Sequence, residues 1–135
     1  GQDRAAEKAE AESWMRQTFG FPAETDFSVP GGLGSDARYL RGQELWGLGL
    51  YAQAATEFDA LREAVSGDPI NTYRFALMME EIGCYRQAVL AARHVLDLAG
   101  MNDASSLTAP LLFNHIRFGT YFSTLVIPAK PPAAT

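Results

Sequence analysis

The sequence predicts an all-α fold in which antiparallel helix pairs stack into a short solenoid. Apolar residues recur at the three- and four-residue spacing of amphipathic helices. Glycine and proline fall mostly between these segments, where helices are expected to end. The middle of the chain also matches itself after a shift of 34 residues, which is typical of a repeated helix pair.

Composition narrows the range of functions. The chain has 135 residues, enough for one compact domain, and its hydrophobic fraction of 47% can supply a core. A formal net charge of −5 argues against nucleic acid as a partner, because such binders need a basic surface. The single cysteine excludes an internal disulfide and a multi-cysteine zinc site, and no apolar run reaches the ~20 residues of a membrane span. We therefore predict no metal, no cofactor and no membrane span.

The first predicted element is a helix over residues 3–19, rich in alanine and glutamate. Its apolar residues form one stripe near the C-terminal end: Ala11, Trp14, Met15 and Phe19. Residues 1–20 therefore form an N-terminal helical unit. Residues 21–35 contain two prolines and three glycines, so we predict an irregular linker there.

Two helix pairs are predicted next, over residues 36–67 and 69–100. The first pair breaks near Gly49 and the second at Gly83. Asp68 is the expected N-cap of the second pair, since a proline suited to the first helical position follows it.

The two pairs share the pattern [LI]-G-x-Y-x-x-A at the joint between their helices. We expect the glycine to permit the turn and the tyrosine to plug the angle between the helices. The alanine should let the second helix approach the first closely. These structural positions are Gly49, Tyr51, Ala54, Gly83, Tyr85 and Ala88.

The C-terminal part, residues 101–127, is predicted to hold two short connector helices, Ala109–Phe118 and Tyr121–Ile127. Residues 128–135 contain three prolines and no periodicity, so we expect a disordered tail. Because the sequence starts at Gly1 rather than Met and ends in this tail, we expect a piece of a larger protein. All these predicted segments together make effectively one domain.

The 34-residue unit resembles the tetratricopeptide repeat at the turn glycine, the tyrosine, the alanine and Phe58. It departs from that family where the first aromatic is usual, since Arg38 and Thr72 stand there. The resemblance implies a concave face lined by the first helix of each pair. The repeat register places five candidate binding residues on that face: Tyr39, Gln43, Trp46, Tyr73 and Glu80.

Exposed tyrosine, tryptophan and glutamine side chains on such a face can stack on sugars or hydrogen-bond a peptide. The alternative is structural, with Trp46 packing against the N-terminal helix or the linker. Both alternatives remain open from the sequence alone.

Three segments in order add a second resemblance: AEAESWMRQTFG, LWGLGLYAQAATEFDALREA, and YRFALMMEEIGCYRQAVLAARHVLDLAG followed by APLLFNHIRFGTYFSTLVIPA. This order is similar to the helical region upstream of the catalytic domain in bacterial soluble lytic transglycosylases. The resemblance implies an extracytoplasmic, non-catalytic accessory domain. Its implied partners are the catalytic domain of the same parent protein and peptidoglycan.

No catalytic residue carries over from that family. Its acid is a glutamate in a Glu-Ser motif of the catalytic domain, whereas Glu12-Ser13 here lies in an Ala/Glu helix expected to be exposed. Neighbouring Glu80 and Glu81 diverge by about 100° on a helix, so they do not converge on one atom. We therefore predict that this chain is not an enzyme.

Two rival functions remain. A stand-alone tetratricopeptide-like adaptor would bind a protein partner and need no further domain. An enzyme would need two carboxyl groups that only the fold brings into one cleft.

Overall fold

A computed structural model describes the backbone of residues 2–28 and 31–126, and the side chains of 3–28 and 31–119. The described chain forms seven α-helices, one short 3₁₀ helix (Gly31–Ser35) within the predicted irregular linker, and no strand, so the predicted all-α class is confirmed. The helices are α1 (Gln2–Phe19), α2 (Ala37–Gly47), α3 (Tyr51–Ala64), α4 (Pro69–Glu81), α5 (Tyr85–Leu98), α6 (Asp103–Ser106) and α7 (Leu111–Val126). The predicted disordered tail, 128–135, lies outside the described residues.

Neighbouring helices bury one continuous core. α2 packs on α3, α4 packs on α5, and α7 packs on both α5 and α1. In α1 the apolar stripe supplies Ala11 and Met15, which are fully buried. Between α1 and α2, Phe27 and Leu33 are buried, so the linker is fastened to the helices by its apolar side chains.

The turns of the two helix pairs have the same backbone geometry. Gly49 and Gly83 adopt φ of +80° and +86°, a left-handed conformation that glycine accepts most readily. In both turns the glycine N–H donates to the carbonyl three residues earlier, and the following N–H donates to the carbonyl five residues earlier. This pattern satisfies carbonyl groups that the end of a helix would otherwise leave unpaired.

The tyrosines after these turns are not buried between their helices as expected, although the centroid of the Tyr51 ring lies 4.5 Å from that of the Trp46 ring of α2. Tyr51 is 57% exposed and Tyr85 is 65% exposed. Each is the first residue of its helix, and side chains on a helix tilt toward its N-terminus. Both rings therefore project beyond the helix end, whereas the following Ala54 and Ala88 are buried as expected.

The two helix pairs carry side chains of different size at equivalent positions of the repeat. A Cβ added at Gly42 would lie 2.5 Å from a ring carbon of Phe58, whose side chain is fully buried. The corresponding residues of the second pair are Ala76 and Ala92, both buried. The absence of a Cβ at Gly42 thus makes room for the large ring that the first pair carries.

We predict that Gly42→Ala lowers the free energy of unfolding by up to about 2 kcal/mol. Overpacking a core typically costs about 1–3 kcal/mol, and the gain of about 1 kcal/mol from helix propensity offsets it only in part. Urea denaturation measures the change. Gly47→Ala is the matched control in the same helix, because a Cβ there would meet nothing within 4 Å. Stabilisation by both substitutions would contradict the packing argument.

The N-cap of α2 carries a pH-dependent contribution to stability. The Asp36 side chain accepts a hydrogen bond from the Arg38 N–H at 2.8 Å and forms an ion pair with the Arg38 guanidinium. Hydrogen bonding from the Arg38 side chain, followed by that from its backbone N–H, lowers the pKa of Asp36 to about 2. The stabilising carboxylate is therefore fully formed above the ordinary pKa of 3.8 and is lost as pH falls through about 2.

We predict that Asp36→Ala lowers the free energy of unfolding by about 1 kcal/mol at pH 7. The difference from the wild-type chain should shrink as the pH falls from about 4 to 2. Urea titrations at a series of pH values test this. Asp36→Asn keeps a capping oxygen without the charge. Its free energy of unfolding at pH 7 should fall less than that of Asp36→Ala, and it should vary less with pH than that of the wild-type chain.

Candidate functional site

Three polar contacts fasten α1 across α4 and α7. The Tyr73 hydroxyl of α4 donates to the Glu12 carboxylate at 2.8 Å, and Arg4 donates to Glu80 at 2.5 Å. On α7, His115 Nδ1 lies 2.7 Å from a carboxylate oxygen of Glu7. Because Arg4 and Glu12 lie eight residues apart, these contacts extend over more than two turns of α1.

An aromatic cluster lies beneath these polar contacts. The rings of Tyr73 and Phe113 have centroids 6.1 Å apart, and Phe27 meets Tyr73 edge-on at 5.6 Å. Trp14 of α1 meets Phe113 of α7 at 5.4 Å. Such ring pairs add about 0.5–1.5 kcal/mol beyond the burial of their area, so the cluster fixes α1 and the linker against the second helix pair.

Tyr73 is 1% exposed, so its predicted place on an open binding face is wrong. Burial raises the pKa of its hydroxyl, and the Glu12 carboxylate raises it further. The hydroxyl therefore stays protonated as a hydrogen-bond donor. Glu12 is half-buried rather than exposed, because α1 lies on the face of α4 that the repeat register assigns to binding.

The other four candidates lie in different surroundings. Glu80 accepts from Arg4, and the Trp46 indole N–H donates to the Ile82 carbonyl at 2.9 Å. Trp46 thus joins the first helix pair to the turn of the second. Tyr39 is half-buried, where burial and then the charge of Glu81 raise its pKa, and Gln43 is exposed.

Three adjoining clefts follow the exposed side of α4, and we call them the α4 furrow. Clefts of about 160 Å³ and 370 Å³ share Lys8, Leu77 and Glu81. A third, of about 440 Å³, meets the second at Glu80 and continues between α5 and α7. Neighbouring depressions of this kind suit an extended ligand better than a compact one.

The furrow carries charges of both signs. Arg4, Lys8 and Arg74 contribute positive charge, and Glu80 and Glu81 contribute negative charge. Arg74 also donates to the Asp26 carbonyl at 2.7 Å, which holds the linker at one end of the furrow. The surface is thus suited to hydrogen-bonding a polar chain along its length.

Other residues of types that can take part in catalysis or bind a metal make structural contacts. His94 lies 2.6 Å from the Ser66 carbonyl oxygen, and the neighbouring Arg93 forms an ion pair with Asp97. Cys84 is buried, and burial raises the pKa of its thiol. Among the residues that the structure describes, no group of three metal-ligating side chains converges.

In comparisons with known proteins, no family model, curated protein or solved structure matches this chain. Within the described ranges, no helix is both long and apolar enough to cross a membrane.

Sequence reasoning missed the charged residues that hold α1: Arg4, Glu7, Glu12 and His115. Charged residues on an Ala/Glu-rich helix usually indicate a solvated surface, so the pattern pointed away from contacts. The available signal was the spacing of Arg4, Glu7 and Glu12, which brings them toward one side of α1. That signal alone names no partner on α4 or α7.

We predict that Tyr73→Phe lowers the free energy of unfolding by about 1–3 kcal/mol, because Glu12 loses a buried hydrogen-bond donor. Urea denaturation followed by tryptophan fluorescence measures the loss. Tyr39→Phe, at the equivalent position of the first pair, is the control and should cost less than about 0.5 kcal/mol. An equal loss of stability in both variants would contradict a specific contribution from the hydrogen bond between Tyr73 and Glu12.

Proposed function

We propose that this chain is a non-catalytic accessory domain of two tetratricopeptide-like antiparallel helix pairs. Its parent is proposed to be an extracytoplasmic peptidoglycan lytic transglycosylase. In that protein it braces the catalytic domain and helps hold the murein strand. The identity of the parent rests on the order of the sequence motifs.

The observation that best supports a helical-repeat domain is the equivalence of the two turns. Leu48 and Ile82, which precede the turn glycines, have φ/ψ of −90°/1° and −88°/1°. The second helices of both pairs are 14 residues long and begin 34 residues apart. A repeated helix–turn–helix unit favours a scaffold that presents an extended surface.

The α4 furrow supports binding of a chain rather than acid catalysis on it. Its carboxylate at Glu80 accepts a hydrogen bond from Arg4, and the nearby Glu7 and Glu12 contact His115 and Tyr73. These groups hold α1 in place. Tyr39 and Gln43 remain the predicted candidates for stacking on sugar rings and hydrogen-bonding their hydroxyl groups.

We predict that the chain co-sediments with purified murein sacculi and releases no anhydromuropeptides from them. Tyr39→Ala combined with Gln43→Ala should weaken binding about tenfold, the equivalent of about 1.4 kcal/mol. Sedimentation at increasing amounts of sacculi gives the affinity, and mass spectrometry of the supernatant detects product.

Gln53→Ala is the matched control, since this exposed residue lies on α3, the second helix of its pair, and not on the helix that the repeat register assigns to the binding face. Equal binding by all three proteins would contradict the assigned face. Release of anhydromuropeptides by the chain alone would contradict its non-catalytic role.

One observation favours the adaptor as a second candidate. The first helix pair exposes three large apolar side chains at its turn: Leu48, Leu50 and Tyr51. Apolar side chains grouped on a surface are typical of a protein-binding patch. The sequence of the parent gene separates the two candidates, because a lysozyme-like domain with a Glu-Ser motif downstream favours the accessory domain.

A further inference from the structure

The largest cleft of the α4 furrow, about 440 Å³, lies between α5 and the first half of α7. Its apolar lining comes from Tyr85, Ala88 and Val89 of α5 and from Ile116 and Phe118 of α7. Glu80, His115 and Arg117 add polar groups. Gly119 also lines it, and most of the lining residues are apolar.

Gly119 belongs to a third copy of the turn pattern. Phe118-Gly119-Thr120-Tyr121 matches [LI]-G-x-Y at its glycine and tyrosine, with an aromatic residue in the first position. It comes 36 residues after the second copy rather than 34. Gly119 has φ 55° and ψ −138°, and helical backbone lies on both sides of it within α7. The turn again uses a conformation that L-residues rarely adopt.

The sides of α5 show where another helix would pack. Gln87 contacts α3, because it accepts from Arg62 at 2.9 Å and donates to Asp59 at 2.7 Å. Tyr85 and Val89 are each two residues from Gln87, which places them about 200° away around the helix. The cleft therefore lies on the side of α5 that faces away from α3.

The segment after Gly119 has a composition suited to that place. Tyr121, Phe122, Leu125 and Val126 recur at helical spacing, so this helical segment has an apolar stripe. In a stack of helix pairs, each second helix packs on the second helix of the preceding pair, as α3 and α5 do here.

We infer that residues 120–126 dock in this cleft as the second helix of a third, divergent helix pair. Leu111–Phe118 is the first helix of that pair, and Gly119 is its turn. The occupant of the cleft is thus a segment of this chain rather than a separate ligand. The inference concerns the repeat array and stands independently of murein binding.

Hydrogen exchange of the full chain, read by mass spectrometry, tests this docking. Val89→Asp should raise exchange of peptides covering 120–126 by at least about tenfold, because a charge in the cleft expels the segment. Gln53→Asp is the control, since it introduces the same charge at an exposed position of α3 that does not line the cleft. It should leave exchange at 120–126 unchanged.

Tyr85→Ser, with Tyr51→Ser as its control, repeats the test at exposed positions that do not threaten folding. Exchange at 120–126 that no cleft variant alters would overturn the inference. Sedimentation equilibrium on the same samples tests whether the chain forms a dimer, in which a second copy could occupy the cleft. A wild-type dimer that Val89→Asp dissociates would overturn it as well, because the occupant would then be another chain.

Discussion

The burial of Tyr73 is the constraint on which the rest of the structure depends. Its ring packs against Phe27 of the linker and Phe113 of α7, and its hydroxyl donates to Glu12 of α1. One side chain of α4 thus contacts three other parts of the chain. A buried hydroxyl without a partner would cost about 1–3 kcal/mol, so the position of α1 along α4 is fixed by the need to supply an acceptor.

The ion pairs of α1 contribute less to the stability of its attachment than the buried apolar contacts do. Arg4 and Glu80 are partly exposed, and such pairs typically stabilise a protein by about 0–1 kcal/mol. The aromatic cluster and the buried Ala11 and Met15 therefore provide most of the attachment. The polar contacts select which face of α1 meets α4.

The sequence predicted the all-α class and the positions of both turn glycines, because helical periodicity and glycine conformation are local properties. It did not predict what covers each helix. Tyr39 and Tyr73 are equivalent in the repeat, yet one is half-buried and the other is fully covered by α1. A repeat register transfers backbone geometry between copies, whereas burial depends on neighbours distant in sequence. The exposed Tyr51 and Tyr85 illustrate the same limit, since the turn pattern predicts where they lie along the chain but not how much of each ring is covered by neighbours.

The coverage of the second pair also explains the placement of the candidate site. α1 occupies the middle of the face that the register assigns to binding, so Tyr73 and Glu80 are committed to holding it. The accessible surface is consequently displaced to the edge of α4, where Lys8 and Glu81 line the α4 furrow. Since α1 forms one wall of this furrow, any change that shifts α1 also reshapes the surface available to a ligand. Attachment of α1 and the shape of the α4 furrow are therefore coupled through the same contacts.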